Sequence, residues 1–143
     1  MDISGNKVLL KTFTKEDITS EYINWLNDKD VVKFSRQRYN KHNYKSCLDY
    51  YLKLEKNNDC FVKILLKNTN KFIGTMTYIF SDISVDIGIL IGDKNYWGKS
   101  IGVEAWQLSI DYLLKLNKVK KITAGCMSTN KAMEKIMIKS KMK

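Results

Sequence analysis

The 143-residue sequence has no proline, a single histidine and only three cysteines. Cys47, Cys60 and Cys126 are scattered, odd in number and without a C-x-x-C spacing. This argues against a disulfide framework and against a zinc site, and a reducing cytosol is the simple expectation. No apolar run is long enough for a transmembrane helix. Met1-Asp2-Ile3-Ser4-Gly5 does not place a basic stretch before an apolar one, so no secretory signal is read there. Repeats, low-complexity tracts and Gly/Pro/Ser linkers are also lacking. The expectation is one domain over residues 1–143, long enough to bury a core without staples.

What is abundant is positive charge. The formal net charge is +10. Such an excess attracts polyanions. Nucleic acid, an anionic membrane surface and a phosphorylated small molecule all fit it. So does a plain compositional bias toward Lys and Asn. The lysines are spread along the chain rather than gathered in a basic tail. No interleaved aromatic-basic motif supports a nucleic-acid binder, so none is expected as a partner.

Periodicity supplies the elements. Lys7–Phe13 reads as a strand. Thr14-Lys15-Glu16-Asp17 has the form of a capping box, and Ile18, Tyr22, Trp25 and Leu26 follow at helical spacing. After a polar connection over Ser35–Asn43, Tyr44, Cys47, Leu48, Tyr51 and Leu54 mark one face of a second helix. Trp25, Trp106, Tyr44 and Tyr51 are read as core. Three strand-like runs follow: Cys60–Lys67, Lys71–Phe80 and Ser84–Ile91. Asn68-Thr69-Asn70 signals a hairpin between the first two. The third is almost continuously apolar, as in a buried central strand. A long helix is expected from Ser100 to Asn117 and a strand over Val119–Met127. A final helix opens at Ser128-Thr129-Asn130 and carries Met133, Ile136 and Met137. The order β-α-α-β-β-β-α-β-α predicts an α/β chain with a mixed sheet and helices on both faces.

One segment carries chemistry. A strand ending Ile89-Leu90-Ile91 runs into Gly92-Asp93-Lys94-Asn95-Tyr96 and then Trp97-Gly98-Lys99-Ser100-Ile101-Gly102, where the long helix starts. The first N–H groups of a helix have no internal partners and sit at the positive end of its dipole. Small residues let the backbone approach a ligand, so a phosphate is the natural occupant. Gly98-Lys99-Ser100 matches half of a P-loop. That motif needs its first glycine at position 93, which is aspartate.

The same residues resemble the cofactor motif of the GNAT acyl-CoA N-acyltransferases, Gln/Arg-x-x-Gly-x-Gly/Ala. Trp97 stands for Gln/Arg, Ser100 for the first Gly, and Gly102 matches the last position. The wider strings Asp86-Ile87-Gly88-Ile89 through Gly102-Val103-Glu104-Ala105, and Cys126 through Met133, resemble the branch of ribosomal-protein alanine and amino-sugar acetyltransferases. The resemblance implies acetyl-CoA as co-substrate and no metal. It places the pantetheine arm on the backbone of Ile89, Leu90 and Ile91, and the pyrophosphate on N–H groups from Trp97 through Gly98, Lys99, Ser100, Ile101 and Gly102. It gives Asn130 a pantetheine contact, with a helix N-cap as the plainer alternative. Asp86 is implied as the base that takes the amine's proton. Ser128, or less directly Cys126, is implied as a donor near the thioester. The family's tyrosine acid falls at Met137. Arg36, Arg38 and Tyr39 lie where the acceptor is held; His42 is read as a loop residue.

The implied reaction is acetyl transfer to a primary amine on a small molecule such as a nucleotide-linked amino sugar. A protein N-terminus and a degenerate, non-catalytic acyl-CoA-binding domain are the alternatives. The resemblance also implies two further strands after the last helix, where this sequence ends at Lys143. The expectation is an incomplete acceptor side, for which a truncated gene, a second copy covering the open sheet edge and a natural short form are the three explanations.

Overall fold

In the computed structural model, residues 1–32, 41–98 and 100–124 are described. They form strands β1 (Asp2–Ser4) and β2 (Val8–Thr12), helices α1 (Ser20–Asn27) and α2 (Tyr44–Lys56), and strands β3 (Cys60–Leu66), β4 (Phe72–Ser81) and β5 (Ser84–Ile91). Helix α3 (Ile101–Leu114) and strand β6 (Lys121–Thr123) follow. The strands make one sheet in sequence order. Neighbours from β1 to β5 are antiparallel, and β5 and β6 are parallel. The mixed α/β architecture agrees with the expected order and adds one strand. Asp2–Ser4 escaped the sequence reading because three residues are too few to show alternation.

Local chemistry moves the first helix. Asp17 Oδ2 accepts from the Thr14 amide at 2.8 Å and from the Thr14 hydroxyl at 3.1 Å. That capping motif closes only a 3-10 turn at Lys15–Asp17. Helix α1 begins afterwards, where Thr19 Oγ1 accepts from the Tyr22 amide at 3.2 Å. At α2, Asn43 and Ser46 cap each other reciprocally. Asn27 ties the two helices together: its side chain accepts from the His42 amide at 2.7 Å and donates to the His42 carbonyl at 2.8 Å.

The sheet separates two cores. On one face Tyr78, Val85, Ile87 and Met76 pack under Trp106, Ala105 and Leu113 of α3. On the other, Phe13, Tyr22, Trp25 and Phe61 form an aromatic cluster with α1 and α2. Phe13 and Phe61 stack at 4.0 Å between ring centroids. Trp25 and Trp106 are core, as expected; Tyr44 is not. It opens α2 and is half exposed, because the helix buries the face of Cys47 and Leu54 instead. The β5 strand departs from full burial as well. Its odd positions, from Val85 to Ile91, face the α3 core, while Asp86, Gly88 and Leu90 face the side of α1 and α2. The expected final helix and anything beyond Ala124 lie outside the described residues, including the sheet edge that a second copy was expected to cover.

Candidate active site

The site is built around β5. Its ladder with β6 joins Ser84 to Lys121, Val85 to Ile122 and Asp86 to Thr123. Among the described residues no pairing on that side continues to Ile91. The Gly92 amide donates to the Ile73 carbonyl at 2.9 Å. Alternation along an antiparallel ladder therefore turns the peptides of Leu90 and Gly88 toward β4, and those of Ile89 and Ile91, beyond the last pair with β6, to the open side. One of those outward groups is occupied: the Ile91 carbonyl accepts from Trp97 Nε1 at 2.7 Å.

That bond folds the loop after β5 back onto the strand. A clamp of ion pairs holds its other side. Lys94 Nζ lies 2.9 Å from Asp28 and 3.2 Å from Asp30, both just past α1. Lys71 Nζ lies 3.1 Å from Asp93. The Lys94 ammonium, helped by the Asp30 amide, holds the Asp28 carboxyl below its usual range. Gly92 is buried against the face of Trp25, where a side chain has no room.

The loop then enters α3 through two left-handed residues. Gly98 has φ +74°, with open space around it. Ser100, the N-cap, has φ 64° and ψ 11° and makes no side-chain cap bond. The first α3 N–H groups, at 101–103, precede the first internal bond, from the Glu104 amide to the Ser100 carbonyl. Amides without helical partners at a positive dipole end give this helix start the form of an anion cradle. Ile101 turns its side chain into the core, so its amide alone faces the cradle. Trp97 is 43% exposed beside it. Glu104 in the same turn looks inward. Its Oε2 accepts from the amides of Lys7 and Val8, each at 2.8 Å.

On the α1/α2 face of β5 lies a cavity of about 170 Å³. Thr75, Thr77 and Gly88 form its floor; Tyr22, Leu26 and Tyr50 wall it. A second cavity of about 320 Å³ shares Tyr22, Leu26 and Tyr50 and opens past Lys41 and Ser46. Burial pushes the phenol of Tyr22 well up and also raises that of Tyr50. Gly88 keeps the floor open: a Cβ there would sit 2.9 Å from Thr77 Oγ1.

Of the residues singled out in the sequence, the structure gathers Ile89, Ile91, Trp97, Gly98, Ser100, Ile101 and Gly102 around the β5 edge and the start of α3. Leu90 shares the β5 stretch but contributes to the cleft lining, its peptide being turned to β4. Asp86 stands two residues before Gly88 on the cleft face of β5, exposed, accepting from Thr123 Oγ1 at 2.8 Å. Lys99, Arg36, Arg38, Tyr39, Ser128, Asn130, Cys126 and Met137 lie outside the described residues. The cleft itself was not anticipated. Tyr22 reads as core, which it also is, and Tyr50 carries no signal. The one available clue was polar Thr75 and Thr77 alternating within an apolar strand. No group of three or more potential metal ligands occurs among the described residues, and no helix there is long and apolar enough to cross a membrane.

Comparison with known proteins gives the same class. The profile of the acetyltransferase (GNAT) domain matches residues 7–143. A GNAT-family acetyltransferase from Bacillus anthracis superposes with a TM-score of 0.79 at 21% identity, covering 98% of this chain and 82% of that one. The ribosomal-protein-S5-alanine acetyltransferase from Vibrio fischeri gives 0.76 at 21%, covering 98% and 81%. An aminoglycoside acetyltransferase in complex with coenzyme A and kanamycin gives 0.79 at 17%, covering 93% and 82%. At such identities these structures share the fold. No curated protein matches the sequence. The matched domain is that of the acyl-CoA-dependent N-acetyltransferases, with acetyl-CoA as co-substrate. The chain belongs to the GNAT acetyltransferase family.

Proposed function

We propose that this chain acetylates the primary amine of a small molecule, with a nucleotide-linked amino sugar as the acceptor class. The observation that carries the proposal is the pairing of β5. Among the described residues its ladder to β6 reaches as far as Asp86, the outward peptides of Ile89 and Ile91 follow, and the same strand floors the cleft at Gly88. An extended amide-bearing arm adds to such an edge as an extra strand. Ile89 and the amide of Ile91 offer the pairing groups, and the Ile91 carbonyl stays with Trp97. The 101–103 amides, with the turn at Gly98 and Ser100, suit a pyrophosphate. Acetyl-CoA, when bound, supplies an acetyl thioester.

The residues of the chain then have separate tasks. The β5 edge aligns the thioester, and the cleft delivers the amine across Gly88. The amine nitrogen forms the new C–N bond and the C–S bond breaks, its electron pair leaving on sulfur. The amine's surplus proton passes to Asp86, directly or through water, and one proton returns to the sulfur. Asp86 suits this role because its carboxylate lies on the cleft face and keeps an oxygen beyond the one Thr123 uses. Lys41 at the mouth and the net charge of +10 favour an acceptor with an anionic group. Ser128, Asn130, Arg36, Arg38 and Tyr39 keep their implied roles within the proposal. The reducing cytosolic setting belongs to the proposal as well.

Calorimetry with acetyl-CoA, then thiol release across amino sugars, nucleotide-linked amino sugars and peptides, tests this reading. Binding followed by turnover on the amino sugars is expected. Turnover confined to peptides would move the assignment to a protein N-terminus. Binding without turnover on any amine would make the domain non-catalytic.

A further inference from the structure

The inner cleft holds more hydroxyl groups than its packing uses. Tyr22 is 3% exposed and Thr75 is 6% exposed, so both are more than nine-tenths buried. Both line the cavity, together with Tyr50 and Thr77. None of the four hydroxyls bonds to another described residue, and no buried side-chain oxygen or nitrogen is stranded in the described structure. Elsewhere the protein pairs such groups: Tyr78 OH meets Ser109 Oγ at 2.6 Å in the opposite core. The four hydroxyls therefore look into the cavity rather than into packing. Each can both donate and accept. A desolvated hydroxyl left without a partner is costly, so the occupant must return hydrogen bonds at several points.

We propose that Tyr22, Tyr50 and Thr75 are specificity-determining residues that recognise the ring hydroxyls of an amino sugar in this cleft. The inference rests on the cleft being the acceptor side of the transferase, and it names what that side reads. The apolar wall at Leu26 covers one face of the ring. The hydroxyls of α1, α2 and β4 converge on its edge from three elements. The inner cavity is below the ~300–1,000 Å³ of ordinary ligand pockets, so it takes a single ring. The neighbouring cavity, past Lys41, leaves room for a substituent. An amine on a bare hydrocarbon ring fills the same space and leaves the hydroxyls unpaired. Sites built to hydrogen-bond a ligand hydroxyl discriminate strongly against the analogue lacking it.

The test compares glucosamine with cyclohexylamine, similar rings with and without hydroxyls. Dissociation constants are measured by calorimetry on the full chain, with and without coenzyme A, so the readout does not depend on turnover. Glucosamine should bind at least about tenfold more tightly than cyclohexylamine, the equivalent of one good hydrogen bond. Tyr22→Phe, Tyr50→Phe and Thr75→Val should each shrink that ratio while leaving cyclohexylamine and coenzyme A affinities unchanged. A purely structural role would instead weaken both amines together. Equal binding of the two amines, or no glucosamine binding in either condition, overturns the proposal. Thiol release is scored separately: transfer to amines without hydroxyl preference refutes the specificity and leaves the transferase reading standing. Glucosamine binding without any transfer does the reverse.

Discussion

Trp25 and Gly92 are in face-to-backbone contact: the indole of α1 occupies the volume where any side chain at Gly92 would stand. The contact seats the helix that walls the cleft on the first residue of the loop between β5 and α3. Gly92→Ala is expected to lower stability by about 1–3 kcal/mol, as overpacking does. Trp25→Ala should remove about 3–5 kcal/mol. In the Trp25→Ala background the second change should be nearly silent. Urea unfolding of all four chains measures the coupling; additive effects would show that the two residues do not share the space.

Ser100 pays for its position. The left-handed region costs an ordinary residue about 1–2 kcal/mol, and glycine's extra freedom in the unfolded chain gives back about 0.5–1 kcal/mol. Ser100→Gly should therefore raise stability by up to about 1 kcal/mol. Ser100→Val should lower it, because branching at Cβ worsens the clash. Thermal melts in the absence of cofactor would show both changes, and a stabilising valine would contradict the backbone geometry.

Tyr78 and Ser109 form a closed buried network. The Ser109 hydroxyl also lies 2.9 Å from the Ala105 carbonyl and 3.1 Å from Met76 Sδ. Ser109→Ala strands the phenol and should cost about 1–3 kcal/mol. Tyr78→Phe combined with Ser109→Ala should cost less than the two single changes added together, since neither group is then left alone. Denaturant midpoints at constant slope decide it.

The Asp28–Lys94 clamp sets a pH window. Asp28 is held below its ordinary value of 3.8 and Lys94 above its ordinary 10.5, each chiefly by hydrogen bonding to the other. The carboxylate's contribution is present above its unfolded value and fades as pH falls through the lower folded one. The ammonium's contribution is present below its unfolded value and fades as pH rises through the higher folded one. The melting-temperature difference between wild type and Lys94→Met should be flat from about pH 6 to 9 and vanish in strong acid. Because the pair is exposed, about 1 M salt should shrink it as well. A difference that grows on acidification would reverse the assignment.

The sequence and the structure agree best where one local rule acts alone. Apolar runs marked β2 to β5, and Gly98 with Gly102 marked the cradle, because strand pleat and helix-end geometry demand those residue types nearby. Ser100 shows the converse. A serine gives no hint of left-handed backbone, and only its place in the family motif pointed to glycine. Asp17 capped a turn rather than a helix because Ile18 leaves helical geometry before Thr19 can start one. The cleft was illegible for a different reason. Tyr22, Tyr50, Thr75 and Gly88 come from four elements and meet only when the sheet register and both helices are in place. The outward turn of Ile89 likewise follows from the Gly92–Ile73 bond, which no linear pattern encodes.

Glu104 has a consequence in time. Its carboxylate holds the Lys7 and Val8 amides across 97 and 96 residues of chain. Contacts of such separation form late, since the intervening chain must first be ordered. Helix α3 can wind and pack on β4 and β5 by itself, but its first turn is fastened at Glu104 only when the N-terminal hairpin arrives. The fully seated anion cradle should then be among the last features to mature during refolding, and coenzyme A would act as a late-stage reporter of the native state.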